Sequence, residues 1–322
     1  MPDFFYNKAG RLRSGWRLAI YIVAFLLLSI ALVLFVNFAL ARALSRDAYD
    51  VMFAEGGAGF VLQSFVTFIP AALVAWGCGY ALEDLPWRAL GWAPHKGWLR
   101  DALVGLLVGG AAVCVATVVG VIVGGYRIEY AAPNAGDFAR TLAASGFIFL
   151  LGAAAEEMLF RGYPLQTLMR SWPILPALVF SSITFGLVHM QNPHVVPGFT
   201  LVNTALAGAW LAVAYWRTRS LWFPLGLHFG WNWVQGALLG SPVSGITRIT
   251  PDPLLRFSDT GPEWIGGGAY GIEGGAACTL AIILAALFVW RTRLLDATPE
   301  LRHYTDGENP NPAQTPVVLR RE

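Results

Sequence analysis

The chain has 322 residues, 56% of them hydrophobic and only 13% charged, against about 25% charged residues in an ordinary soluble domain. With a mean hydropathy of +0.55 and 13 tryptophans, this composition excludes a disordered chain and argues against a soluble globular enzyme. The formal net charge of +2 provides no electrostatic footing for nucleic acid. Cys78, Cys114 and Cys278 lie in apolar runs and no C-x-x-C pair occurs, so neither a disulfide framework nor a thiolate zinc site is expected.

A bilayer span needs about 20 mostly apolar residues. In chain order the pattern predicts eight: 16–41, 59–82, 102–124, 142–162, 174–192, 198–216, 221–240 and 275–293. The first is longer than the 7–15 residues or so of a signal-peptide core and reads as an uncleaved anchor. The second holds Pro70, which kinks a helix. The third carries Gly105-x-x-x-Gly109 and Gly120-x-x-x-Gly124, a spacing that permits close helix packing. The expected fold is therefore all-α: a polytopic membrane bundle of about eight helices. Residues 1–15 form a cytoplasmic lead, 16–295 the transmembrane domain, and 296–322 a Pro-rich, polar tail expected to be disordered. Residues 241–273 read as a Gly- and Pro-rich extracytoplasmic loop.

Basic residues set the orientation. The N-terminal lead (Lys8, Arg11, Arg13, Arg17), the loops holding Arg88, Lys96 and Arg100, then Arg161 and Arg170, then Arg217 and Arg219, and the tail (Arg291, Arg293, Arg302, Arg320, Arg321) carry 16 of the 22 Lys and Arg. The opposite side carries six: Arg42, Arg46, Arg127, Arg140, Arg248 and Arg256. This asymmetry places both termini in the cytoplasm.

Ionisable groups within spans cost about 2.5–3.5 kcal/mol each on the insertion scale, so those retained need a reason. Three clusters stand out. Span four ends in Glu156-Glu157-Met158-Leu159-Phe160-Arg161. Adjacent glutamates point about 100° apart on a helix, and Glu157 can pair with Arg161 at i,i+4, which leaves Glu156 free. Read alone, this is equally a snorkelling helix end. Span five carries Phe185 and His189 at i,i+4, and span seven carries His228 and Asn232 at the same spacing. Each pair alone reads equally as an interhelical hydrogen bond. Together they supply one unpaired carboxylate, two histidines and an amide, a set able to move protons and stabilise an oxyanion.

At these residues the chain resembles the CPBP family: the CAAX-processing and bacteriocin-processing (Abi-like) intramembrane proteases, which include the type II CAAX prenyl endopeptidases. The resemblance rests on Glu156-Glu157-x-x-x-Arg161, Phe185-x-x-x-His189 and His228-x-x-x-Asn232, and spans about residues 140–240. The lead Gly10-Arg11-Leu12-Arg13-Ser14-Gly15-Trp16-Arg17 is also similar to bacterial members.

The resemblance implies an intramembrane endopeptidase acting on a membrane-associated protein or peptide. It would have Glu156 activate a water, His189 hold and polarise it, and His228 and Asn232 donate to the oxyanion. Glu157, Arg161 and Phe185 would be supporting residues. Metal-free catalysis is the expectation. A zinc set of Glu156, His189 and His228 is the alternative, although no His-Glu-x-x-His helix is present. Two other function classes fit the residues: a proton-coupled transporter using a Glu–His relay, and a non-catalytic immunity or scaffold protein with a structural polar core. No internal repeat supports the transporter.

Overall fold

A computed structural model describes residues 4–7, 10–54, 57–196 and 198–307. The chain is mostly helical. Helix α1 spans Ser14–Ala43, α2 Arg46–Ala54, α3 Gly57–Glu83 and α4 Trp98–Ile122. A short strand β1, Tyr126–Tyr130, leads to α5, Ala135–Phe160. Asn134 caps α5 by accepting from the Gly136 amide at 2.8 Å, and Asp137 in its first turn faces the positive end of the helix dipole. Then come α6, Tyr163–Ser171; α7, Ile174–His189; α8, Phe199–Thr218; and α9, Trp222–Trp233. Strand β2, Leu255–Asp259, pairs antiparallel with β1, Tyr126 lying opposite Asp259. The one-turn α10, Glu263–Gly266, precedes α11, Ala276–Arg291, and α12, Pro299–Thr305.

Among the described residues, five helical stretches are long and apolar enough to cross a membrane: Ser14–Ala43, Gly57–Glu83, Trp98–Ile122, Ala135–Ser171 and Phe199–Thr218. The other three expected spans correspond to shorter helices. α7 and α11 have 16 residues each, about 24 Å at 1.5 Å per residue, short of the hydrocarbon thickness of about 30 Å. α9 has 12 residues and runs into a π-helical turn over Val234–Leu238.

The fourth span differs from expectation in a way that sets the depth of the site. It does not end at residue 162: a tight corner at Gly162 leads into α6, which buries Tyr163, Leu165, Thr167, Leu168 and Arg170. A Cβ on Gly162 would meet the Met158 carbonyl oxygen at 2.5 Å. Glu156 consequently lies 15 residues back from the end of α6, and His189 lies 15 residues beyond the start of α7. Both motif residues therefore sit far from the α6–α7 turn.

α4 and α9 are pressed together by glycine. A Cβ on Gly105 would fall 2.4 Å from the Phe223 carbonyl oxygen and one on Gly109 2.1 Å from that of Leu227. In return, a Cβ on Gly226 would fall 2.1 Å from the Ala102 oxygen and one on Gly230 2.2 Å from that of Leu106. The Gly105-x-x-x-Gly109 spacing thus meets Gly226-x-x-x-Gly230 in a backbone-to-backbone crossing. Gly120 serves otherwise, leaving room for the Tyr126 ring.

Five segments meet at one end of the bundle. Arg11 pairs with Asp84 at 2.9 Å and Arg88 with Glu300 at 2.9 Å. Arg170 donates to the Tyr304 carbonyl at 2.7 Å, Arg217 to the carbonyl of Leu295 at 2.8 Å, and Arg219 pairs with Asp306 at 2.8 Å. These are the five segments that carry most of the basic residues. Where a disordered tail is expected from residue 296, α12 forms instead. Thr298 accepts from the Leu301 amide as its N-cap, Pro299 occupies the first helical position, and Leu301 and Tyr304 are buried. The rest of the expected tail, 308–322, lies outside the described residues.

The 241–273 loop, read as an extracytoplasmic connection, is folded against the bundle. A bridge joins Val243 and Ile246, and Val243, Ile249, Tyr270 and Ile272 are buried. Its apolar residues, dispersed among glycines, are spent on the far end of the bundle.

Candidate active site

α5 supplies three charged groups from little more than one turn. Arg161 Nη1 donates to Glu157 Oε1 at 3.1 Å, and both side chains are fully buried. Arg161 also donates to the Gly208 carbonyl on α8 at 3.1 Å. This is an interior anchor and not a snorkelling helix end. An unpaired charge at this depth would be strongly unfavourable, and the pair with its added hydrogen bond offsets that cost.

Phe185 on α7 organises the neighbourhood. The Arg161 guanidinium lies 4.3 Å from the Phe185 ring centroid, a cation–π contact. The His189 ring is 4.4 Å away and the His228 ring 6.1 Å away. The Phe185-x-x-x-His189 spacing therefore places the phenyl ring as a spacer among three functional side chains.

His228 lies on α9 between Gly226 and Gly230, so the glycine crossing with α4 fixes its position. Its Nδ1 is 2.9 Å from Glu157 Oε1, and its Nε2 is 3.7 Å from Glu156 Oε2. The two glutamates do diverge, as helix geometry requires, yet both reach His228, one at each ring nitrogen. His189 Nε2 stands 3.6 Å from the same Glu156 oxygen, while its Nδ1 is 2.8 Å from the Phe185 carbonyl.

These contacts decide the tautomers. A carbonyl or carboxylate oxygen only accepts, so both Nδ1 atoms carry hydrogen, and in the neutral rings both Nε2 atoms offer lone pairs. Glu156 Oε2 is buried and accepts no hydrogen bond. Glu156 Oε2 and the His189 Nε2 lone pair thus face a common point beside His228 Nε2, a place suited to a water with two protons to give.

The point opens into a cavity of about 210 Å³ lined by Glu156, His189, His228 and Asn232, with Ser64, Thr67, Leu159 and Phe160 farther along. All seven residues singled out from the sequence therefore converge: Glu156, His189, His228 and Asn232 at the cavity, with Glu157, Arg161 and Phe185 behind them.

Two residues at the site escape the sequence reading. Glu273, from the 241–275 loop, accepts from Trp231 Nε1 at 3.1 Å and from the amide and hydroxyl of Ser244 at 2.6 and 2.8 Å. Desolvation raises its carboxyl above the ordinary carboxylate range. Ser244 has a left-handed backbone, φ 50°, a conformation that costs a non-glycine residue roughly 1–2 kcal/mol.

Residues 138–234 match the family described as type II CAAX prenyl endopeptidase Rce1-like. Over that stretch the chain is similar to the CPBP family. The matched stretch runs from the first turn of α5 to the end of α9 and contains all three motifs. No curated protein and no solved structure matches the chain. This similarity and the five long apolar helices point to an integral membrane protein related to CAAX-type intramembrane proteases. Among the described residues no group of three or more His, Cys, Asp or Glu is arranged to hold a metal ion.

Proposed function

We propose that this chain is an intramembrane endopeptidase that hydrolyses a peptide bond in a membrane-associated protein or peptide, using a water activated by Glu156. The observation that carries this reading is the placement of the buried, unpartnered Glu156 Oε2 at 3.6 and 3.7 Å from the Nε2 atoms of His189 and His228. A water seated there gives one proton to Glu156 as its oxygen attacks the carbonyl carbon, while His189 Nε2 accepts its other hydrogen and orients it. The carbonyl π electrons move to oxygen. The Asn232 amide, and His228 Nε2–H in its doubly protonated form, donate to that oxyanion. Collapse of the tetrahedral species breaks the C–N bond, the leaving nitrogen takes the proton from Glu156, and the carboxylate is regenerated.

The remaining side chains prepare this arrangement. Glu157 fixes the His228 ring through Nδ1, as Arg161 fixes Glu157. The apolar wall of Leu159, Phe160 and Phe185 strengthens each donor by excluding bulk water. The reading includes an eight-span topology with both termini cytoplasmic, supported by the meeting of five basic segments at one end of the bundle.

The test compares wild type with Glu156→Gln and His228→Ala, at equal expression, for cleavage of a membrane-proximal reporter peptide. Both variants are expected to lose cleavage. Wild-type rates from both would refute the assignment.

A further inference from the structure

A second, smaller cavity lies on the other side of the histidines. Its volume is about 50 Å³, and Asn203, Thr204 and Glu273 are among the polar residues that line it. His189, His228, Asn232 and Ser244 line both cavities and so form a partition, with Glu156 on one side and Glu273 on the other. At roughly 10–15 Å³ of such volume per molecule, the small chamber has room for about three waters and none for a peptide segment.

Each peptide bond cleaved consumes one water, and the surrounding helices are apolar. We propose that this chamber holds the water consumed in hydrolysis and that Glu273 is the positioning residue that keeps its wall assembled. The proposal rests on the protease reading above. Cavities that stay dry are lined by apolar groups, whereas a pocket offering several polar partners retains water. This one borders the Asn232 amide and the hydroxyl oxygens of Thr204 and Ser244, which can still accept while donating elsewhere, whereas Asn203 and Glu273 are bonded to their neighbours.

Glu273 is not a second base, because both of its oxygens are already engaged. What it holds is informative. One oxygen holds the indole of Trp231, the residue before Asn232. The other holds the amide and hydroxyl of Ser244, at the tip of the 243–246 bridge, in its left-handed conformation. Two pieces of the partition are thus pinned by one carboxylate. Removing it strands three buried donors and frees Ser244 to relax.

The experiment measures kcat and KM for the membrane-proximal reporter with protein in liposomes. The Ala207→Leu variant fills the chamber from its α8 wall without removing any polar group, and Glu273→Gln breaks the clamp. Both are expected to lower kcat about tenfold with KM unchanged, as loss of a step after substrate binding requires; Glu273→Asp is expected to restore part of kcat. A raised KM with unchanged kcat makes the chamber a substrate subsite and overturns the proposal, as do wild-type values for both constants. If Glu156→Gln is inactive while Ala207→Leu is fully active, the chamber idea falls and the protease reading stands. If Glu156→Gln and His228→Ala are both active, the protease reading falls first. An experimental structure of the wild type decides independently of whether the variants fold: ordered water in contact with Asn203, Thr204 or His189 supports the proposal, and a dry chamber overturns it.

Discussion

Glu83 and Glu156 are both acids on long apolar helices, and the bundle treats them differently. Glu83, at the end of α3, is almost completely enclosed. Arg17 lies 3.2 Å from it, Arg170 pairs with its other oxygen, and Thr167 donates to it. The arginines are themselves tied down: Arg17 Nε to the Leu12 carbonyl at 2.6 Å and Arg170 Nη2 to that of Tyr304 at 2.7 Å. That network joins the N-terminal lead, α3, α6 and α12 and leaves the carboxylate little to offer a ligand. Glu156 has its arginine taken by its neighbour Glu157 and keeps an unpartnered oxygen opposite two imidazoles and a cavity. Burial alone does not separate the two clusters, since both hold fully buried arginines. The unused capacity of the carboxylate separates them: both Glu83 oxygens are engaged and fasten the fold, whereas Glu156 Oε2 is left able to react.

The comparison can be broken from either side. The largest effect is expected for Glu156→Gln, which should lower kcat by about 10²–10⁴-fold, the range for losing a general base, while leaving the Tm in detergent close to wild type. The converse is expected for Glu83→Gln. It leaves Arg17 and Arg170 uncompensated, which should cost about 3–5 kcal/mol of stability, read as a lowered Tm, with the kcat of the folded fraction retained. Equal effects of the two substitutions on activity would dissolve the distinction. Next in size is Asn232→Ala, expected to lower kcat by about 10²–10³-fold as loss of one oxyanion donor does, with KM little altered. The smallest effect is expected from excess chelator, which should leave cleavage unchanged. Loss of activity that zinc restores would replace the water-activating carboxylate by a metal site built on the same residues.

Much of the second cluster was readable without coordinates, because its geometry is local. Glu157 with Arg161, Phe185 with His189 and His228 with Asn232 are all i,i+4 pairs, and helix periodicity places each pair on one face. The first cluster was not readable for the complementary reason. Arg17 and Arg170 count as cytoplasmic charges and Glu83 falls just past the second span, since what unites them is contact between residues 66 and 87 positions apart. The same holds for the glycines around His228: Gly226-x-x-x-Gly230 matters only opposite Gly105-x-x-x-Gly109, and the choice of partner helix is tertiary. Glu273 hid within six glycines over residues 266–275, a composition that reads as solvent loop. The available signal was an acid between Ile272 and the apolar α11, in a stretch whose glycines make its turns tight enough to fold back. The tail from residue 296 misled similarly, its prolines masking the Thr298–Pro299 helix start.

The crossing of α4 and α9 has a consequence for how this sequence tolerates change. A Cβ at Gly105, Gly109, Gly226 or Gly230 would lie 2.1–2.4 Å from a carbonyl oxygen of the facing helix, so even alanine forces the two backbones apart. These four positions accept as narrow an alphabet as the reacting residues, although none carries a functional group. In a saturation library selected for activity, they are expected to be depleted of every alternative as thoroughly as Glu156. Only a readout of protein abundance would tell the two kinds of intolerance apart, falling at the glycines and holding at the glutamate.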